Sequence, residues 1–265
     1  MMKVELAIIG GTGFYHPEII ENTEELSLKT PYGDTHLLVG TYMNTPVAFL
    51  SRHGMKHGVP PHRVNYRANI SALKDLGVKR VLATTAVGSL RKKLSPGTMV
   101  ITDQFIDFTK GRDGTFYEGE DSEGVVHTDF SEPYCGQLRK YLIKSIAARG
   151  IDYASKGTYI CTEGPRYETP AEIKAFALWG ADVVGMTGVP EATLAREAGL
   201  CYANLSLITN YAAGISPHIL THREVVEMME KKINLLREII LEVLVALPEA
   251  RECNCWKKED YSLGQ

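Results

Sequence analysis

The sequence predicts an α/β fold in a single domain, and three observations carry that reading. Val4–Ile9 is a continuous apolar, β-branched run, the pattern of a strand buried on both faces. Similar short runs alternate with segments of helical spacing, and no linker, repeat or low-complexity stretch separates them. Strand after strand ends in a hydroxyl, amide, guanidinium or imidazole beside glycine, and open α/β sheets bind ligands outside the carboxyl ends of their strands. One such end means little. Their recurrence predicts a shared crevice.

The 265 residues are enough to bury a full core and still form one domain. A hydrophobic content of 44%, a charged content of 23% and a net charge of -3 are ordinary for a soluble protein and give no reason to expect nucleic acid or an acidic membrane as partner. The opening run is too short for a signal or spanning helix and contains Glu5, so cytoplasm is the expected location. The cysteines are Cys135, Cys161, Cys201, Cys253 and Cys255, without a C-x-x-C pair. Three fall in core-like segments. The tail pair Cys253 and Cys255 reads as two free surface thiols in a reducing compartment, with a strained local disulfide or half a metal site as alternatives.

Taken in order, the first strand ends in Gly10-Gly11-Thr12-Gly13, a turn whose N–H groups and hydroxyl can hold an anion. His16 stands where a dinucleotide fingerprint needs its third glycine, and no G-K-[ST] follows. Leu37–Tyr42 and Val47–Leu50 form a meander that ends in Ser51-Arg52-His53-Gly54. His53 and His57 have the spacing of a helical ligand pair, but Gly54, Gly58, Pro60 and Pro61 make the segment a loop, so no metal is expected. The Arg52 fork suits phosphate better. Val64–Gly77 has helical spacing and a terminal glycine, with Asn65 and Arg67 in its first turn. Val81–Thr84 is a strand ending in Thr85-Ala86-Val87-Gly88-Ser89, and Val100–Asp103 is a short one.

Thr109–Asp129 is irregular and charged, and reads as a flap or subunit contact that could carry Phe116 or His127 to a neighbour. Glu132–Gly150 is an amphipathic helix. Ser155–Cys161 is strand-like and leads into Thr162–Glu172. Thr169, Pro170 and Glu172 there make a capping box with proline at the first helical position. Tyr167 and Glu168 are therefore held on a short, stiff turn. An aromatic face beside a carboxylate suits a flat ring with N–H donors on its edge, such as a 6-oxopurine. Asp182–Met186 is a strand, and Thr187 lies near the N-terminus of a helix over Glu191–Gly199, where phosphate is favoured. Leu200–Ile208 is a strand ending in Thr209-Asn210-Tyr211-Ala212. Thr221–Ala246 is a long helix, followed by a polar tail over about 248–265.

Together these motifs resemble the purine nucleoside phosphorylase family, in its trimeric branch that includes methylthioadenosine phosphorylase. The likeness rests on Gly10–Gly13, Arg52–Gly54, Asn65–Asn69, Thr85–Ser89, Gly164–Thr169, Met186-Thr187 and Thr209-Asn210, in that order. It implies a central mixed β-sheet flanked by helices and phosphate-dependent cleavage of nucleosides to base and sugar 1-phosphate. By resemblance, Thr12, Arg52, His53, Thr85, Ala86 and Thr187 form the phosphate site, Met186 faces the ribose and Tyr167 the base. Inorganic phosphate is a co-substrate, no metal or organic cofactor is implied, and a homotrimer or dimer of trimers is expected.

Glu168 and Asn210 discriminate between bases. An ionised Glu168 accepts the N1–H of hypoxanthine or guanine, whereas adenine offers it a bare lone pair. Adenine-preferring members are expected to carry a hydroxyl residue at Glu168 and aspartates at Asn210 and Ala212, and this chain departs from them at all three. The Asn210 amide can donate to N7 or O6 as negative charge develops on the leaving base. His222 aligns with a histidine of enzymes using ordinary nucleosides, which suits a 5′-hydroxyl; methylthioinosine is the alternative substrate. Two rival classes are a water-using nucleosidase, separated by phosphate dependence, and a non-catalytic nucleoside-binding protein, separated by base release.

Overall fold

A computed structural model describes residues 3–11, 20–54, 58–119, 124–216 and 219–257. Its sheet has eleven strands: β1 (Leu6–Gly10), β2 (Glu21–Thr30), β3 (Gly33–Tyr42), β4 (Thr45–Ser51), β5 (Arg80–Ser89), β6 (Met99–Ile101), β7 (Gln104–Phe108), β8 (Tyr153–Ala154), β9 (Thr158–Thr162), β10 (Val183–Gly185) and β11 (Cys201–Tyr211). The helices are α1 (Tyr66–Asp75), α2 (Gly136–Ala147), α3 (Pro170–Leu178), α4 (Gly188–Glu197) and α5 (His222–Ala246). The α/β class, the single domain and the mixed sheet flanked by helices are as expected.

Period-two alternation explains the layers. Leu6, Ile8 and Leu82 point to one face, where α2 and α5 bring Leu138, Leu142, Leu236 and Ile240. Ala7, Ile9, Val81 and Ala83 point to the other, against Ile70 and Leu73 of α1 and Ala192 and Leu194 of α4.

The strand that sets the site is β5. On one side it pairs in parallel with β11 along its whole length, from Arg80↔Cys201 to Ser89↔Tyr211. On the other side it pairs with β1 only as far as Ala83, and with antiparallel β10 only at Gly88 and Ser89. Between these partners the Thr84–Val87 edge is left without a strand neighbour, and the sheet opens into a cleft.

Several boundaries move from the sequence reading. β2 was not anticipated: it is charged and largely exposed, and pairs as an edge strand with β3. The helix expected over Glu132–Gly150 begins at Gly136, because Cys135 is still extended and its N–H donates to the Tyr202 carbonyl. Val189 is extended (φ -127°, ψ 135°), so the regular turns of α4 begin beyond it. The tail is docked over its described residues, 248–257. Arg80 Nη2 donates to the carbonyls of Pro248, Glu249 and Ala250, and Cys255 is buried. Cys253 and Cys255 are therefore not a pair of surface thiols.

Candidate active site

The cleft beside Thr84–Val87 has a volume of about 580 Å³. It is lined by Gly11, Arg52, His53, Thr85, Ala86 and Thr187, and by Tyr167, Glu168, Met186, Asn210, Ala212 and His222. Every expected site residue among the described ones is thus brought to one cavity. Thr12, the remaining one, lies outside the described residues.

Arg52 follows β4 and is buried, as is Glu191 of α4. Arg52 Nε and Nη2 donate to the two Glu191 carboxylate oxygens at 2.6 and 2.7 Å, and Nη1 donates to the Thr84 carbonyl at 3.0 Å. The Tyr202 hydroxyl also donates to Glu191 Oε1, at 2.7 Å. Each guanidinium nitrogen therefore has a partner inside the protein, and Arg52 lines the cleft with its orientation fixed. His53 Nδ1 lies 2.8 Å from the Val59 carbonyl, so that nitrogen carries the hydrogen and the ring orientation is fixed.

On the open edge, the Thr84 hydroxyl accepts from the Gly11 N–H at 3.2 Å. The Thr85 hydroxyl shares a buried network with Ser206 at 2.8 Å and Asn204 at 3.1–3.2 Å. Thr187 caps α4 without using its hydroxyl on the helix. The N–H groups of Thr187 and Gly188 instead donate to the buried Tyr159 hydroxyl, at 3.3 and 3.2 Å. The helix-terminus amides expected to face an anion are thus occupied, and Thr187 reaches the cleft through its side chain. Gly185 makes this possible, since a Cβ there would stand 2.2 Å from the Tyr159 oxygen.

Beside Tyr167 and Glu168, the capping box at Thr169 and Glu172 is present and sets the turn before α3. Glu168 is buried, and the Thr162 hydroxyl donates to its Oε1 at 2.6 Å. Burial pushes its carboxyl above the ordinary value, and the Thr162 hydrogen bond opposes that shift without cancelling it. Asn210 sits at a bulge in β11: Ile208 pairs with Val87 and Asn210 with Gly88, so Thr209 is the extra residue. The Thr209 hydroxyl lies 2.8 Å from Asn210 Oδ1, and Asn210 Nδ2 donates to the Tyr211 carbonyl at 2.9 Å. Opposite, a Cβ on Gly88 would come within 3.2 Å of Asn210 Nδ2, so glycine clears the space. The Tyr167 hydroxyl lies 3.4 Å from His222 Nδ1, which joins the α3 turn to the start of α5.

Sequence reasoning missed Arg112, which is buried inside the irregular 109–129 segment. Its guanidinium donates to the carbonyls of Met186 and Val189 at 2.8 Å and of Glu163 at 2.7 Å, tying two cleft walls together. No periodicity marks it; the flanking Gly111 and Gly114 were the only cue. Glu191 and Tyr202 were missed as well, and the signal for Glu191 was a carboxylate inside the apolar run V-V-G-M-T-G-V-P-E-A. Asn65 and Arg67 have structural roles here: Asn65 caps α1, and Arg67 pairs with Asp113 and Glu118. Phe116 packs on Tyr32 of its own chain, at 5.2 Å between ring centroids.

A sheet opened at one strand edge thus gathers an arginine, an imidazole, hydroxyls, a carboxylate and an amide into one cleft, groups that can bind an anion and the polar edge of a heterocycle. Residues 5–245 match the phosphorylase superfamily, and the chain belongs to that family. It is 56% identical to a Dictyoglomus turgidum protein named "Probable 6-oxopurine nucleoside phosphorylase", over 95% of both chains. It is 52% identical to the 6-oxopurine nucleoside phosphorylase of Pyrococcus furiosus, over 94% of this chain and 96% of that one. Among solved structures, methylthioadenosine phosphorylase from Schistosoma mansoni in complex with adenine superimposes with a TM-score of 0.87 at 37% identity, covering 92% of this chain and 91% of that one.

Proposed function

We propose that this protein is a purine nucleoside phosphorylase that cleaves inosine and guanosine with inorganic phosphate, giving the free base and ribose 1-phosphate. The observation that carries the reading is that a carboxylate and an amide, Glu168 and Asn210, line the same cleft as Arg52 and the hydroxyl residues Thr85 and Thr187. Relatives more than half identical over nearly the whole chain bear the same activity in their names, which supports it.

Breaking the C1′–N9 bond places positive charge on the sugar and negative charge on the base. A phosphate dianion held by Arg52, His53, Thr85, Ala86 and Thr187 stabilises the sugar cation from below and then bonds to C1′. The bonding electrons of C1′–N9 leave with the base, where the Asn210 amide donates to N7 or O6 and Glu168 accepts N1–H. Met186 and Tyr167 hold the ribose and the ring, Ala212 leaves the wall beside Asn210 uncharged, and His222 meets the 5′-hydroxyl. No covalent enzyme intermediate, metal or organic cofactor takes part in these steps; positioning and preorganised dipoles provide the rate.

A nucleoside panel with and without phosphate tests this. Inosine and guanosine are expected to release base only with phosphate present, and much faster than adenosine. Base release in phosphate-free buffer would make it a hydrolase, and a strong preference for methylthioinosine would move the substrate to the thioether class.

The raised carboxyl of Glu168 has a pH consequence. Only the ionised form accepts N1–H, so kcat/KM for inosine falls as pH drops through the Glu168 pKa, and that fall sets in above the ordinary carboxylate value of 4.5. The Glu168→Gln variant lacks a titrating group there and is expected to lose this acid limb, keeping only the one due to phosphate itself. An unchanged limb would assign the titration to another group.

Assembly as a homotrimer, or a dimer of trimers, is part of the same proposal. Leu178 is 80% exposed and Trp179 55% exposed, beside the Phe108–Phe176 pair, an apolar surface suited to burial against another copy. Among the described residues, no helix is long and apolar enough to cross a membrane, and a cytoplasmic salvage role fits the chemistry.

A further inference from the structure

Four cysteines that are far apart in sequence converge in space. The Sγ atoms of Cys135, Cys201, Cys253 and Cys255 all lie within 4.8 Å of one another, and those of Cys201 and Cys253 are 3.2 Å apart. Cys135, Cys201 and Cys255 are buried and Cys253 is half-buried. None of them lines the nucleoside cleft. We propose that these four cysteines form a tetrathiolate site for one zinc ion, which fastens the C-terminal segment to the sheet.

The distances suit such an ion. A tetrahedron of sulfurs about 2.3 Å from zinc has edges of about 3.8 Å. That value lies between the 3.2 Å contact and the 4.8 Å limit of the cluster, so closure around a metal needs only small side-chain movements. The donors are all soft sulfur, with no carboxylate or imidazole among them, a set that selects zinc over magnesium or calcium. Four protein ligands leave no open coordination position, which makes the site structural rather than catalytic.

The scaffold supports the same conclusion. Cys135 directly precedes α2, and its thiol makes no capping hydrogen bond; the helix N-terminus there favours a thiolate. Its N–H is held by the Tyr202 carbonyl, and the Cys201 N–H by that of Lys79, so the backbones of both residues are fixed by the sheet. Half of the site is therefore preformed. Cys253 and Cys255 close it from a segment whose other anchors are Arg80, through three backbone carbonyls, and the contact of Trp256 with Gly199. Each bound thiol gives up its proton to solvent as the metal–sulfur bond forms.

Metal content of the full-length protein, expressed without an affinity tag and purified under reducing, anaerobic conditions, tests the proposal. One zinc per chain is expected, with all four thiols blocked to alkylation until a strong chelator is added. Cobalt exchanged into the site should give the sulfur-to-metal charge-transfer and visible bands of a tetrahedral thiolate complex. The double variant Cys253→Ser/Cys255→Ser should lose the zinc and melt at lower temperature, yet retain inosine phosphorolysis at room temperature. A metal-free protein with freely alkylated thiols would overturn the assignment, as would a metal-free protein whose intact mass reveals disulfides, or zinc retained by the double variant. The wild-type metal content decides the matter even if the double variant does not fold. Because the cleft is not involved, failure of this test leaves the proposed phosphorolysis untouched.

Discussion

Replacing Glu168 with serine is expected to lower kcat/KM for inosine and guanosine by about 5- to 150-fold, the equivalent of about 1–3 kcal/mol for a buried hydrogen bond left unmade. Adenosine turnover should stay level or rise, because serine can donate to the bare adenine N1 that a carboxylate repels. The ratio between the two substrates is the decisive quantity, since it cancels any general loss from disturbing the turn before α3. Glu168 is buried and accepts from Thr162 at 2.6 Å, which holds one oxygen in place; the proposed contact with the base uses the other. Glu168→Gln, which preserves shape and can either accept or donate, should fall between the two. A Glu168→Ser variant with the inosine-to-adenosine ratio of the wild type would exclude this residue from base recognition.

The second large effect is expected at Glu191, which is given no contact with substrate in the proposed mechanism. It holds Arg52 by two hydrogen bonds, with both side chains almost fully out of solvent. Removing one member of a buried pair leaves the other charge uncompensated and costs about 3–5 kcal/mol. Glu191→Gln should therefore lower Tm by roughly 6–20 °C in a chain of this size. Phosphate should then become the main counter-charge for Arg52, so a given phosphate concentration should raise Tm more in the variant than in the wild type. The kcat/KM for inosine should drop at the same time, because the guanidinium is no longer held at its angle. A variant that keeps the wild-type Tm would mean that the pair contributes little, and an unaltered response to phosphate would separate Arg52 from the anion.

Much of the architecture was legible because it depends on short-range patterns. The apolar run before Gly10 and the capping box at Thr169 are local signals, and both elements formed as read. The convergence of the glycine- and hydroxyl-bearing segments on one cleft was legible too, although residues 85–89 and 209–211 lie within β5 and β11 and not beyond their ends as read. What stayed hidden depends on partners distant in sequence. β2 offers only Leu26 and Leu28 as an apolar face among charged residues; its place comes from pairing with β3. Arg112 works through backbone carbonyls, which leave no trace in residue type. Glu191 looked like an ordinary first-turn helix residue until Arg52 and Tyr202 arrived beside it from other strands. The tail cysteines looked exposed because nothing local indicated that Cys135 and Cys201 would meet them.

The extra residue at Thr209 has a consequence for how tightly the reaction geometry can vary. Thr85 and Asn210 stand on adjacent strands, and their spacing along the cleft is fixed by the pairing of Asn210 with Gly88 one position out of step. In the proposed mechanism the gap between nucleophile and leaving group is thereby set by main-chain hydrogen bonding, which side-chain exchange alters little. Evolution of new sugar or base preferences in such a scaffold is confined to exchanging the groups at fixed stations, while the length of the reaction coordinate stays constant. Deleting Thr209 would remove the bulge, and with it the hydroxyl that holds Asn210 Oδ1, while Asn210 could still pair with Gly88 in a regular ladder.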